Sequence, residues 1–332
     1  MSFRTIEITG PAELHVKSGS LVIEKENKDK TEQADHTSNC SGDRKKSLKD
    51  RKRKKPENRK LIIPLEDIST IVCMGAGVRI STMAMAQLCR NKISMTMLDE
   101  KYRTSGFLNA YEANARQSLT MRRQVFLKTE RAEKLWREIV SMKIQNQARV
   151  IDILGLADAE KVRSFAQQTD NVSEIDPLEA GAAKAYFAQL CPEMNRREET
   201  PMNSRLNYGY AILRNSIIRA VVSAGLLPSF GIHHQNLYNA YNLADDLIEP
   251  YRPSVDLIAY GMTGETDQLS RDERKQLASV VLFAVEHNGQ KVSILQSIDR
   301  VVGEYRAFVM EECNRIDLPH ILPAEIILQI KE

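Results

Sequence analysis

Residues 204–224, SRLNYGYAILRNSIIRAVVSA, return apolar side chains to one side about every 3.6 residues, the repeat of an α-helix. Gly225 follows where a helix-ending glycine belongs, and Pro228 comes shortly after. Segments 116–153, 177–190, 274–287 and 290–313 carry the same repeat, so the chain reads as helical from about residue 115 onward. Residues 3–24 read differently. Phe3, Ile6 and Ile8 lead into Pro11, Leu14 and Val16 alternate with polar neighbours, and Ser18-Gly19 turns the chain into Leu21-Val22-Ile23. Leu61-Ile62-Ile63 can pair with 20–24 as a hairpin, and Ile68–Met74 and Ile93–Leu98 are further strand candidates. Ser81 reads as the N-cap of a helix reaching about Arg90. The expectation is an α+β protein: an N-terminal β domain over 1–100, a connector over 101–115, and a larger all-helical domain over 116–332.

With 332 residues, 42% of them hydrophobic, the chain is long enough for two domains, or one large one, with ample core. The N-terminus MSFRTIEITG lacks the basic and apolar blocks of a secretory signal. The most apolar stretch, Ser216–Leu227, contains Arg219 and is too short to span a bilayer. A soluble, cytoplasmic protein without a membrane partner is expected. Cys40, Cys73, Cys89, Cys191 and Cys313 are scattered with no C-x-x-C pair, which argues for reduced thiols and against a zinc ribbon.

The formal net charge of +3 hides an uneven distribution. Residues 25–60 hold 14 Lys/Arg and 7 Asp/Glu, against 33 and 37 in the rest of the chain, so the basicity belongs to one tract. Leu48 is the only large aliphatic residue inside it, too little apolar surface to offset the entropy of ordering, and the tract reads as a disordered insert at a hairpin tip. Its Arg44–Lys55 core, nine basic residues in twelve, lacks aromatics for base stacking and supports non-specific phosphate attraction at most.

Three segments carry groups suited to chemistry. In Gly231–Pro253, His233 and His234 precede Asp245, Asp246 and Glu249, and the i, i+3 spacing of Asp246 and Glu249 puts both carboxylates on one helix face. Such a pair repels unless a cation neutralises it, and a histidine folded back over it gives an oxygen-rich site suited to Mg²⁺ or Mn²⁺. The same acids also suit the first turn of a helix with no ligand at all. In Asp176–Phe187, Asp176, Pro177 and Glu179 read as N-cap, N1 and the N3 member of a capping box. Arg116, Arg122, Arg123, Lys128 and Arg131 form basic rows on a helix, either a phosphate-binding face or a solvated one balanced by Glu130 and Glu133.

In order along the chain, Pro177-Leu-Glu-Ala-Gly-Ala-Ala-Lys-Ala-Tyr-Phe187, Leu206-Asn-Tyr-Gly-Tyr-Ala-Ile-Leu213 and Gly231–Pro253 resemble the CRISPR-associated adaptation integrases, most of all those of type II systems. The resemblance implies an N-terminal β domain, a helical catalytic domain, and one Mg²⁺ or Mn²⁺ held by Glu179, His234 and Glu249 as catalytic ligands. Asp246 is then a supporting acid, and His233 is the alternative to His234 because the doublet leaves the register open by one. The implied reaction is metal-dependent phosphodiester cleavage and strand transfer that inserts new spacer DNA into a repeat array, part of antiviral defence. The implied partners are double-stranded DNA (spacer precursor and repeat), a second copy of the chain, and a small ferredoxin-like adaptation protein. Arg116, Arg122, Arg123, Lys128 and Arg131 become candidate DNA-backbone contacts. The competing readings are a non-catalytic DNA-binding scaffold of the same fold and a hydrolase of small phosphate esters. The insert over 25–60 departs from the short connection expected in the family, so a chain lacking it should fold and keep its ion-dependent cleavage. Loss of Mn²⁺-dependent nicking in a well-folded deletion variant refutes that expectation.

Overall fold

The fold, as a computed structural model, is described for residues 4–25, 59–73, 77–99, 104–110, 116–192, 198, 200–264, 266 and 268–322. Most of the 25–60 insert, with Cys40 and the Arg44–Lys55 core, and parts of the 101–115 connector lie outside the described residues. The architecture is α+β, and the chain divides into two units, Met1–Ile93 and Ser94–Glu332. The segment 94–100 therefore falls in the second unit.

In the first unit, β1 (Arg4–Ile8) is followed by a hairpin of β2 (Ala12–Lys17) and β3 (Ser20–Lys25). Its turn residues Ser18 and Gly19 take φ of 50° and 73°, the positive pair whose twist matches the flanking strands. β4 (Arg59–Pro64) pairs antiparallel with β3, Leu21 opposite Ile63 and Lys25 opposite Arg59, so the expected hairpin flanking the insert forms. β5 (Ile68–Cys73) runs parallel to β1, and β6 (Val78–Ile80) runs parallel to β2 on the far side of the hairpin sheet, giving the order β4-β3-β2-β6. The alternation of β2 buries Ala12 and Leu14, and β3 buries Leu21, Val22 and Ile23. Helix α1 (Thr82–Arg90) starts as expected at Ser81, whose hydroxyl accepts from the Ala84 N–H at 3.2 Å, and it buries Ala84 and Leu88.

The second unit opens with an antiparallel pair, β7 (Ser94–Leu98) and β8 (Thr104–Leu108), and then turns helical. The periodic segment 116–153 is two helices, α2 (Gln117–Val125) and α3 (Thr129–Leu154), rather than one. The two are separated at 126–128, and Gln124 in the last turn of α2 bonds the Leu227 N–H and the Leu227 and Phe230 carbonyls. α3 is the central element: it buries Leu135, Trp136, Ile139, Val140, Ile144 and Ile151 and packs against α4 (Ala159–Ala166) and α5 (Asp176–Leu190). α6 (Pro201–Ser223) is capped by Thr200, ends before Gly225 at φ +75°, and lies buried along most of its length.

After α6 come a loop carrying the histidines, α7 (Asn242–Leu247), a 3₁₀ turn at Glu249–Tyr251, and α8 (Arg252–Tyr260). α9 (Arg271–Ala278) begins with a Ser270/Glu273 capping box. Here the helical reading of 274–287 and 290–313 fails in part. Residues 284–287 form β9 and residues 290–293 form β10, joined at Asn288-Gly289 with φ of 55° and 68°; α10 spans only Ile294–Val309. The Asn-Gly pair is a hairpin signal that local geometry made decisive over the periodicity. β11 (His320–Ile321) completes the sheet β10-β9-β11. No helix among the described residues is long and apolar enough to cross a membrane. Cys73, Cys89, Cys191 and Cys313 are free, and burial pushes the Cys73 thiol up to about 12.

Two contacts tie the later helices to the earlier ones. Asn146 on α3, fully buried, donates to the Pro250 and Pro319 carbonyls at 2.8 and 2.9 Å and accepts from the Ile321 N–H at 3.1 Å. Gly209 on α6 lets α8 approach so closely that a Cβ there would sit 2.3 Å from Val255 Cγ1. Gly209→Ala should therefore cost about 1–3 kcal/mol in urea unfolding, and adding Val255→Ala should recover part of that loss. An alanine variant as stable as the wild type would show that the two helices are not held this closely.

Candidate active site

The strongest electrostatic feature of the second unit is a lysine on the buried stripe of α3. Lys143 stands seven residues after Trp136 and three before Asn146, on the face that packs inward. Its ammonium hydrogen-bonds the Glu179 carboxylate from the first turn of α5 and lies 2.6 Å from Oε2 of Glu249 on the 3₁₀ turn. Glu249 is 5% exposed, and its contact with Lys143 is a close ion pair. Arg252 Nε lies 2.9 Å from the other oxygen, Oε1, with its guanidinium 4.8 Å from the Tyr210 ring centre. Burial opposes charge on Glu249, but Arg252, Lys143 and His234 outweigh it and hold the carboxyl below the usual carboxylate range. Burial likewise works against the Lys143 charge, and the two glutamates overcome it, raising its pKa above that of an ordinary lysine.

The histidine loop is organised by Asp246, fully buried on α7. Its carboxylate accepts from the N–H groups of Ile232, His233 and His234, at 2.5, 3.0 and 3.2 Å, and meets His234 Nδ1 at 2.6 Å. Gly231 is required where the loop enters, since a Cβ would lie 2.3 Å from the His234 carbonyl oxygen and 2.7 Å from Asp246 Oδ2. His233 takes a different partner. Its ring stacks on Trp136 at 4.5 Å between centroids and 3° between planes, and its Nε2 lies 3.1 Å from Asp176 Oδ1. The expected capping role of Asp176 is thus corrected: α5 begins at Asp176 itself with no side-chain cap, and the carboxylate faces the histidine loop instead. The hydrogen bond to Asp246 raises the His234 pKa against the opposing effect of burial, with a further contribution from Glu249.

Glu179, His234, Glu249 and Asp246 therefore occupy one neighbourhood, assembled from α5, the histidine loop, the 3₁₀ turn and α7. Among the described residues, no three His, Cys, Asp or Glu side chains stand grouped to hold a metal ion as placed. The glutamates turn to Lys143 and the His234 Nδ1 to Asp246. A cleft of about 650 Å³, lined in part by His233, His234, Gln124, Phe230 and Asn236, opens beside them. Leu237 and Tyr238 project from its rim 95% and 99% exposed.

The basic residues of 116–131 do not form a row along one helix, because α2 and α3 are separate. Arg116 and Arg123 pair with Glu312 and Glu311, at 3.6 and 3.2 Å. Arg131 donates to the Phe308 and Cys313 carbonyls at 3.0 and 3.2 Å and lies 4.1 Å from the Phe308 ring centre, a clamp on the end of α10. Arg122 and Lys128 remain exposed. Sequence reading overlooked Lys143, Trp136 and Asn146. The available signal was a charge and an amide within the apolar stripe of α3.

Residues 42–287 match the family model described as CRISPR associated protein Cas1. The chain belongs to the Cas1 family. It is 31% identical over 268 residues to the CRISPR-associated endonuclease Cas1 of Neisseria meningitidis serogroup C, covering 79% of this chain and 88% of that one. Among solved structures, a casposase bound to integration product has a similar fold at 17% identity, with a TM-score of 0.75 over 100% of this chain and 99% of the other. A Cas6-RT-Cas1–Cas2 complex aligns at 16% identity and a TM-score of 0.67 over 94% of this chain and 35% of the other. The Cas1 family model covers all three sequence motifs and every carboxylate and imidazole of the site.

The His234–Asp246 pair gives this Cas1-family chain a defined pH dependence. A raised histidine pKa in the folded state adds stability in full below the unfolded value of about 6.5, and that contribution fades as pH rises through the higher folded value. The stability lost in Asp246→Asn, measured by urea unfolding, should be greater near pH 5.5 than near pH 8.5. A loss independent of pH would mean that the pair carries no proton linkage.

Proposed function

We propose that this chain is a metal-dependent DNA endonuclease and integrase of spacer acquisition, with Glu179, His234 and Glu249 as the ligands of one Mg²⁺ or Mn²⁺. The observation that carries the reading is the convergence of two carboxylates from distant segments on a single cationic position, beside an imidazole fixed by a buried acid. The donor set fits a hard divalent ion, being rich in oxygen with one nitrogen. Bound there, the ion supplies charge neutralisation at a phosphodiester and lowers the pKa of an attacking hydroxyl.

The chain's own residues do the rest. Asp246 holds Nδ1 of His234 and so selects the ring orientation and leaves Nε2 as the nitrogen available for coordination. Arg252, fixed to Glu249, keeps that carboxylate ionised. His233, stacked on Trp136, braces the loop, which favours His234 over His233 as ligand. Attack by a DNA 3′ hydroxyl on a repeat phosphodiester gives strand transfer, and attack by water gives a nick; the same side chains serve both. The endonuclease name of the Neisseria relative and the integration product held by the casposase support both outcomes. The proposal extends to DNA as substrate, a homodimer and a Cas2-type partner; the family resemblance supports all three, and the Cas1–Cas2 composition of the aligned complex supports the partner. Exposed Arg122 and Lys128 are the better placed of the basic residues for backbone contact, and Arg116 and Arg123 can join them by exchanging Glu312 and Glu311 for phosphate.

With a branched or 3′-ended DNA substrate and Mn²⁺, Glu179→Gln, His234→Ala and Glu249→Gln should each lower nicking and strand transfer by about 10²-fold or more, with DNA retention in a gel-shift assay unchanged. Full activity in all three variants overturns the proposed site. DNA binding with no cleavage by the wild type at any divalent ion leaves the non-catalytic scaffold as the correct reading.

A further inference from the structure

Lys143 has no assigned part in the metal-site reading, yet it contacts both carboxylates of that site. It is rooted on the buried face of α3, its side chain is 12% exposed, and its ammonium reaches Glu179 and Glu249 together. Without a positive group between them, two carboxylates converging on one position repel. Arg252 cannot serve both, since its contact is to Oε1 of Glu249, whereas Lys143 lies against Oε2 and against Glu179 Oε1. Glu249 Oε2, buried and 2.6 Å from the ammonium, is the oxygen that an incoming cation would have to take over.

We propose that Lys143 is a built-in counter-ion that competes with the divalent cation for Glu179 and Glu249, so that metal binding requires its ammonium to release them. Lysine suits this role. Its single flexible charge can swing clear, and it offers no bidentate fork to lock a carboxylate in place. The ammonium thereby keeps the two glutamates converged on one position and sets an upper limit on metal affinity. Lys143 is a positioning residue here, and the proposal rests on the ligand assignment above.

The test is a Mn²⁺ titration of full-length protein stripped with EDTA, following free Mn²⁺ by its EPR signal and thermal stability in parallel. Wild type, Lys143→Met, Lys143→Gln and Glu179→Gln are compared. The expected result is a Kd for Mn²⁺ at least tenfold tighter in both Lys143 variants than in wild type, a gain of about 1.4 kcal/mol. Their Tm should fall below that of wild type without the ion and rise by a larger increment when Mn²⁺ is added. A variant that is unfolded without Mn²⁺ and recovered by it also supports the competition. Lys143 variants that bind Mn²⁺ no more tightly than wild type, or stay unfolded at Mn²⁺ concentrations that saturate wild type, overturn it. The ligand reading fails separately: in that case wild type binds no Mn²⁺, or Glu179→Gln binds it as well as wild type does.

Discussion

Two glutamate side chains from different helical segments cannot share a buried site unless something positive sits with them. This constraint organises the helical unit. At close range in a poorly solvated environment the repulsion between carboxylates is worth several kcal/mol, more than any single hydrogen bond nearby can offset. Lys143 and Arg252 answer it from α3 and α8, Lys143 meeting both glutamates and Arg252 meeting Glu249. The cations and anions are therefore mutually stabilising, and removing one member leaves an uncompensated charge in the interior.

The supporting contacts divide into those that place the carboxylates and those that place the imidazole. Asn146 holds the Pro250 carbonyl, one residue beyond Glu249, so α3 fixes both the lysine and the backbone of the turn opposite it. On the other side, a single buried aspartate collects three successive backbone N–H groups and one ring nitrogen. A carboxylate with that many donors needs no separate counter-ion, and the loop it gathers is rigid at Gly231 while its rim, Leu237 and Tyr238, stands in solvent. Tyr186 and Tyr210 donate to Asp256 behind Arg252, adding another closed polar group on the same side.

Much of this was legible in the sequence, and the parts that were not share a cause. The hairpin flanking the insert, the Ser81 cap and the long α6 were readable because alternation, capping residues and helical periodicity are local signals. The order of the motifs carrying Glu179, His234 and Glu249 was readable too. The split between α2 and α3 was not, because the apolar residues at 125–127 continue the helical repeat across it. Asp176 looked like a helix cap, since Asp-Pro-x-Glu fits a capping box, but a histidine from a later loop claims it. The β9–β10 hairpin was announced by Asn288-Gly289 and lost in a helical repeat that the flanking apolar residues also satisfied. Lys143 was hidden for the opposite reason. A lysine is read as solvent-facing unless its position on the helix wheel is checked against its apolar neighbours.

The two cations of the site differ in what they can do, and the difference follows from their side chains. Arg252 is held between the Glu249 carboxylate and the face of Tyr210, and its planar, delocalised charge persists in burial. It is a permanent member of the site. Lys143 carries a point charge on four flexible methylenes and lies among groups that attract any cation. On the proposed reading, a divalent ion would displace it from the two carboxylates by Coulomb energy, at the cost of moving the lysine and stripping the ion's own water. In that proposal the site keeps its two carboxylates assembled around Lys143 and would yield them only to a cation of higher charge.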